Sequence, residues 1–210
     1  MTAHVHTATF ADQIAERISG EVDDSARARA EYSTDASNYR VPPTLVVFPK
    51  NDDDVAAVLQ ICREQGVPLT SRGGGTSVAG NSVGAGVVLD FSRYMNKILE
   101  IDPEARTARV QPGVIMSDLQ REAAKHGLRF GPDPSTQNRA TFGGMIGNNA
   151  CGPHAVAWGR TADNVLELEC IDGQGRSFTA GAGDTALDAV PGLESLVDTH
   201  LADVRTNFGR

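Results

Sequence analysis

No apolar run in this chain approaches the roughly 18 residues of a membrane-spanning helix, although 40% of its 210 residues are hydrophobic and a packed core is within reach. The N-terminus, Met1-Thr2-Ala3-His4-Val5-His6, has neither the basic start nor the apolar centre of a secretory signal. Cysteine is scarce. Cys62, Cys151 and Cys170 are odd in number and lack metal or redox spacing, which predicts free thiols in a reducing cytoplasm. A basic stripe is missing as well, which excludes ordinary nucleic-acid binding. The net charge of −8 sits at the two ends: residues 41–159 carry 11 Lys/Arg against 11 Asp/Glu, residues 1–40 carry 4 against 7, and residues 160–210 carry 4 against 9. An anionic ligand in the neutral middle meets little repulsion. There is no internal repeat.

What the middle does have is glycine. Arg72-Gly73-Gly74-Gly75-Thr76-Ser77-Val78-Ala79-Gly80 follows a short apolar run at 67–70 that reads as a strand. Bare backbone there brings N–H groups together into the kind of concavity that binds phosphates. Thr76 and Ser77 add hydroxyl donors and Arg72 adds a fixed positive charge. A second glycine loop of the same kind is expected at Thr141–Gly152. The two together suggest a ligand with a long diphosphate spine held from two sides. The first loop is not a Walker A loop, since no Lys follows its glycines. Val78 stands where the third Gly of the dinucleotide fingerprint belongs.

Around these loops the spacing predicts a helix from Phe10 to Ile18, a polar stretch over 19–40 and a buried strand at Leu45–Phe48. A helix capped by Asn51 and closed by Gly66 follows, with Val55, Val58, Leu59 and Cys62 on its apolar face. Asp52–Asp54 reads as its solvated first turn. A strand at 86–91 completes a β–α–β–loop–β order, which suggests a small parallel unit. A hairpin is expected over 98–102 and 107–111. A helix over 118–126 should follow, capped by Ser117 with Gln120. A second hairpin should cover 165–171 and 176–179, then a loop at 181–190 and a helix through Leu193, Leu196, Val197, Leu201 and Val204.

Several tempting residues have plainer readings. Gly80-Asn81-Ser82-Val83-Gly84 matches the nucleophile elbow of hydrolases, but that elbow needs a strand before it and a helix after it, and neither is expected here. His4 and His6 read as a mobile tail rather than a metal pair. His154 is open to a structural or a functional role. Cys151 reads as a small buried thiol with no base to activate it. Phe142 and Trp158 read as core.

Taken together, residues 42–179 resemble the FAD-binding domain of the vanillyl-alcohol oxidase / p-cresol methylhydroxylase (PCMH-type) superfamily. The likeness rests on Pro49 before a helix, Gly66-Val67-Pro68, Arg72–Ser77, Val88–Arg93, Val110–Gly113, Gly131–Ser135, Thr141–Ala150 and Gly159–Val165, in that order. Asn148–Gly152 and Arg205–Arg210 are similar to the D-lactate, glycolate and D-2-hydroxyglutarate dehydrogenase branch, whose large members carry a C-terminal iron–sulfur region.

The resemblance implies an α+β fold with FAD between two subdomains: a parallel βαβ unit at 41–102 and a mainly antiparallel sheet with helices at 103–180. A helical segment would precede them at 1–40, and a loop and helix at 181–210 would lead into a missing C-terminal part. It assigns Ser71, Arg72, Gly73, Gly74, Gly75, Thr76, Ser77 and Gly80 to the diphosphate. Asp133, Pro134, Ser135, Thr136, Gly143, Gly144, Gly147, Asn148, Asn149 and Ala150 would line the diphosphate and approach the isoalloxazine, and Val165 would meet the adenine end or flavin edge. Asn amides suit the donor and acceptor edge of a flavin. Some relatives attach flavin through a His after the first glycines. Thr76 stands there, so the FAD is expected to be non-covalent. No catalytic residue and no metal ligand is expected in this chain; the catalytic base, the carboxylate clamp and any iron–sulfur cluster are expected beyond Arg210. The implied substrate is a small D-2-hydroxyacid, oxidised to the 2-oxoacid. Electrons would leave through an iron–sulfur or quinone acceptor, in a cytoplasmic enzyme at most peripheral at the inner face of the membrane. A related flavin alcohol oxidase, an enolpyruvyl-UDP-sugar reductase and a non-redox nucleotide-diphosphate module are the rival readings.

Overall fold

The computed structural model describes residues 8–181 and 190–208. His4, His6 and most of the stretch expected as a loop at 181–190 lie outside them. The chain divides into two compact units. The first runs through Asn164 and takes in Gly173–Gly175; the second comprises Val165–Asp172 and the chain from Arg176 onward.

The first unit is built on a four-stranded sheet in the order β1-β2-β4-β3, with β1 at Glu21–Asp23, β2 at Leu45–Phe48, β3 at Leu69–Arg72 and β4 at Val87–Asp90. β4 runs parallel to both neighbours, with Val46 opposite Val88 and Thr70 opposite Val88, while β1 pairs antiparallel with β2. Every residue of β2 and β4 is buried, the mark of strands covered on both faces. Burying each such aliphatic side chain contributes about 1.5–3 kcal/mol. Adjacent parallel strands cannot be joined by a tight hairpin, so residues 73–86 must travel from the end of β3 back to the start of β4. That return carries the first glycine segment across the carboxyl ends of the strands, where open α/β sheets place their ligands.

Helices α1 (Phe10–Ala15) and α2 (Ala26–Glu31) flank β1. The first 40 residues therefore hold a strand as well as helices. Helix α3 (Asp52–Gln65) links β2 to β3. The Asn51 side chain accepts from the Asp54 N–H at 2.9 Å, and Gly66 closes the helix at φ 65°. Its buried face is Val55, Val58, Ile61 and Cys62, so Ile61 takes the place expected for Leu59. Burial pushes the Cys62 thiol up to about 11, which leaves it inert. Asp54 corrects a second expectation. It is 3% exposed, and its carboxylate accepts from the N–H groups of Ser19 and Lys50, both at 2.8 Å. The last acid of a charge run thus braces two backbone segments.

β5 (Ile98–Asp102) and β6 (Thr107–Val110) form an antiparallel hairpin across residues 102 and 103, where the subdomain boundary was expected. Helix α4 covers Met116–Ala124 with Ile115 at its N-cap and no side-chain cap. The Ser117–Gln120 box does not form, because Gln120 bonds the backbone N and O of Phe130 instead, both at 2.9 Å. Val114, Met116, Leu119, Ala140, Phe142 and Met145 make the core here. Two short helices follow, α5 (Phe142–Gly147) and α6 (Ala155–Trp158). In the second unit, β7 (Glu167–Ile171) and β8 (Ser177–Gly181) pair as a hairpin, and α7 spans Leu193–Phe208. Among the described residues no helix is long and apolar enough to cross a membrane.

Candidate cofactor groove

The first glycine segment is a loop, as expected, but its glycines do two different jobs. Gly75 and Gly80 have φ of 64° and 78°, the left-handed region that disfavours a side chain. Gly73 and Gly74 are pressed against residues 139–141: a Cβ on Gly73 would sit 1.9 Å from Thr141 Oγ1, and one on Gly74 would sit 2.1 Å from the Arg139 carbonyl oxygen. These two glycines therefore bring two chain segments together. The N–H groups of Gly74, Gly75, Thr76 and Ser77 donate to no acceptor among the described residues. Ser77 Oγ accepts from the Ala79 and Asn81 N–H groups, each at 3.2 Å, so its own hydrogen is left to donate. Unmade donors on one stretch are the requirement for holding an anion.

The second glycine segment is not a loop of the same kind. It forms α5, and the first two N–H groups of that helix are already used: Phe142 donates to Val114 O at 3.0 Å and Gly143 to Pro112 O at 2.8 Å. The helix ends in a Schellman arrangement. Asn149 takes φ 46°, its N–H reaches Ile146 O at 3.0 Å, and the Ala150 N–H reaches Met145 O at 2.9 Å. Gly144, Gly147 and Asn148 share one exposed face at i, i+3 and i+4 spacing. A Cβ on Gly147 would meet nothing within 4 Å, and one on Gly144 only Thr141 Oγ1 at 3.4 Å.

The two segments face each other across a groove of about 190 Å³ whose lining includes Thr76, Ser77, Thr136, Gly144, Asn148 and Ala150, all expected site residues. Val78, Ala140 and Met145, not expected there, complete the lining, which carries no charged side chain. The Asn81 amide donates to Asn148 Oδ1 at 2.9 Å and ties the two walls together. On the other side of Gly73 and Gly74 lies a recess of about 320 Å³ lined in part by Tyr32, Arg72, Asp90 and Arg139. Arg72 is committed to structure: its Nη1 donates to the carbonyls of Tyr32 at 3.4 Å and Ser82 at 3.2 Å, and its guanidinium lies 4.9 Å from the Tyr32 ring centre. Burial and a hydrogen bond to Asp90 at 2.6 Å raise the Tyr32 hydroxyl far above its usual range. Thr141, buried between groove and recess, keeps an Oγ1 with no partner among the described residues.

The other expected residues fall nearby or elsewhere. Ser71 is the exposed residue of β3, Pro134 is buried and Ser135 is exposed. Asp133 is paired with His154, whose Nδ1 lies 2.5 Å from Asp133 Oδ2. That hydrogen bond holds the Asp133 carboxyl below its ordinary range. Asn149 Oδ1 accepts from the Ala162 N–H at 3.0 Å. Val165 belongs to the second unit. Phe142 is core, but Trp158 is 36% exposed and stacks on His154 at 4.4 Å. Cys151 is exposed, contrary to the buried thiol expected. Ser82 donates to Asp35 Oδ2 at 2.9 Å and follows a loop rather than a strand, so the elbow geometry is absent.

A family profile described as FAD binding domain matches residues 43–181. The chain belongs to the FAD-binding domain family. It is 43% identical over 180 residues to the D-2-hydroxyglutarate dehydrogenase of Pseudomonas putida, covering 82% of this chain and 18% of that protein. It is 41% identical over 162 residues to glycolate oxidase subunit GlcD of Bacillus subtilis, covering 76% of this chain and 34% of the relative. The solved 6-hydroxy-D-nicotine oxidase of Arthrobacter nicotinovorans superposes with a TM-score of 0.70 at 29% identity, over 78% of this chain and 36% of that one. The chain thus spans between 18% and 36% of the length of these proteins. The α+β fold is that of these flavoenzymes, with a parallel sheet beside antiparallel hairpins. The groove fits a FAD diphosphate: one wall offers unmade N–H and hydroxyl donors, the other a glycine face that a Cβ would narrow.

Proposed function

We propose that the groove between residues 74–77 and helix α5 holds the diphosphate of a non-covalent FAD, and that this FAD-binding domain serves a dehydrogenase that oxidises a D-2-hydroxyacid to its 2-oxoacid. The carrying observation is the glycine face of α5. Glycine costs a helix about 1 kcal/mol relative to alanine, and the protein's own packing leaves room for a Cβ at Gly147 and at Gly144. A face kept bare without internal need is a face that something else approaches. In this reading the N–H groups of Gly74 to Ser77 and the hydroxyls of Thr76 and Ser77 hold the phosphates. Asp133 to Thr136 and Asn148 to Ala150 line the path toward the flavin. Thr76 has no ring nitrogen to bond a flavin carbon, so the cofactor dissociates.

Bound FAD would supply the two-electron acceptor for turning an alcohol carbon into a carbonyl. This chain's part is to bind and orient it. The base that removes the hydroxyl proton and the groups that hold the substrate carboxylate are assigned outside the groove. The dehydrogenase and glycolate oxidase relatives support a 2-hydroxyacid substrate. An iron–sulfur or quinone acceptor, and a cytoplasmic location with at most peripheral membrane attachment, complete the proposal. Titration of FAD into the chain, followed by flavin fluorescence and thermal shift, tests it. Saturable binding with a raised melting temperature is the expected result. Titration without saturation would remove the cofactor assignment.

A further inference from the structure

We propose that residues 33–40 act as a strap that locks the peptide orientation of the phosphate-facing loop, with Asp35, Ala36 and Tyr39 as positioning residues. The inference rests on the FAD reading above. The strap lies outside the matched region 43–181. It closes on itself first. Thr34 bridges Arg40, the Val41 N–H donates to Ser33 O at 2.8 Å, and Asp35 Oδ1 accepts from the Ser37 N–H at 2.8 Å.

The closed strap then grips the glycine loop at three points. The Ala36 N–H donates to the Gly75 carbonyl at 3.1 Å. Asp35 Oδ2 accepts from Ser82 Oγ at 2.9 Å. The Tyr39 ring lies so close to Gly80 that a Cβ there would come within 2.6 Å of it. Ser82, the central residue of the G-x-S-x-G pattern, is thereby an anchor for the strap.

The first grip matters most. In a trans peptide the C=O and the following N–H point opposite ways. With the Gly75 carbonyl held by Ala36, the Thr76 N–H is directed away from the strap, and Thr76 is one of the residues that line the groove. Glycine at φ 64° is free to adopt other orientations. Without the lock, this peptide could turn its carbonyl, the negative end of its dipole, toward a phosphate. The strap therefore works on a group it does not touch, by fixing which end of one peptide faces the anion.

The test titrates FAD into the wild-type chain and into Tyr39→Ala, Tyr39→Phe and Asp35→Ala, by flavin fluorescence. Melting temperatures and the Thr76 amide resonance are recorded without FAD. Tyr39 is 61% exposed, so Tyr39→Ala keeps the fold. The expected result is FAD affinity about tenfold weaker in Tyr39→Ala and Asp35→Ala, with a shifted or broadened Thr76 resonance. Tyr39→Phe should bind as wild type, because the ring and not the hydroxyl meets Gly80. Unchanged affinity in both Tyr39→Ala and Asp35→Ala, beside a wild type that binds, overturns the strap and leaves the cofactor reading standing. Equal weakening in Tyr39→Phe with a matching fall in every melting temperature also overturns it, in favour of general stability. A wild type that does not bind FAD removes the cofactor reading and the strap together.

Discussion

The two glycine-rich segments of the first unit look alike in sequence and behave as opposites. At residues 73–80 the glycines are required by the protein itself: Gly73 and Gly74 by contact with residues 139–141, Gly75 and Gly80 by positive φ. At 142–147 the glycines stand in a helix, where they weaken it; a Cβ on Gly147 would meet open space and one on Gly144 only Thr141 Oγ1 at 3.4 Å. The N–H groups divide the other way. The loop leaves its donors unmade, while the helix spends its first donors on residues 112–114. In the proposed reading one segment would supply hydrogen bonds to the cofactor and the other room, so glycine content alone does not identify a phosphate site.

Substitution should separate the two roles. Gly74→Val would drive a branched side chain into the Arg139 carbonyl and force residues 74 and 139 apart. It should lower stability by about 1–3 kcal/mol, as overpacking does, and abolish FAD binding through loss of the groove. Titration together with thermal melting checks both, and a variant that keeps full FAD affinity would falsify the contact role of Gly74. Gly147→Ala should raise stability, and Gly144→Ala should move the two quantities in opposite directions. Stability should rise by up to about 1 kcal/mol each, while FAD affinity falls about tenfold at Gly144, whose position lines the groove. If Gly144→Ala stabilises the protein and binds FAD unchanged, the bare face of α5 has no cofactor meaning.

The same contrast marks what the amino-acid pattern makes legible. β2, α3 and β4 are readable because dense apolar residues are bounded by strong local signals: Pro49 after the strand, Asn51 at the cap, Gly66 in the left-handed position. β1 is not, since Glu21-Val22-Asp23 holds one apolar residue and exists as a strand only through pairing with β2. Helix α5 is hidden for a related reason. Phe142-Gly143-Gly144-Met145-Ile146-Gly147 has poor helix propensity and is held by burial of Phe142 and Met145 and by backbone partners far away in sequence. Six of the expected site residues meet in one groove, because the motif carrying them was specific. The reasons for individual residues were not legible. The role of Gly74 depends on the Arg139 carbonyl, that of Asp54 on the Ser19 and Lys50 amides, and that of Ser82 on Asp35. Each is a contact between segments that no local pattern announces.

The smallest expected effect tests how the Asp133–His154 contact is held. Asp133 accepts from His154 through both the ring nitrogen and the backbone N–H, and these hydrogen bonds favour its charged form and depress its pKa. A depressed carboxylate contributes stability that is present above its unfolded pKa, about 3.9, and is lost as pH falls through the lower folded value. The contact should therefore be intact across neutral and mildly acidic pH and should loosen only below about pH 4. A carboxyl NMR titration should place the Asp133 midpoint under the ordinary aspartate value, and His154→Ala should move it back up. An unmoved midpoint in that variant would show that the His154 ring is not what holds Asp133 charged. The wall beside Asn148 to Ala150 would then be set by the 152–154 backbone alone, where a Cβ on Gly152 would come 2.1 Å from the Asp133 carbonyl.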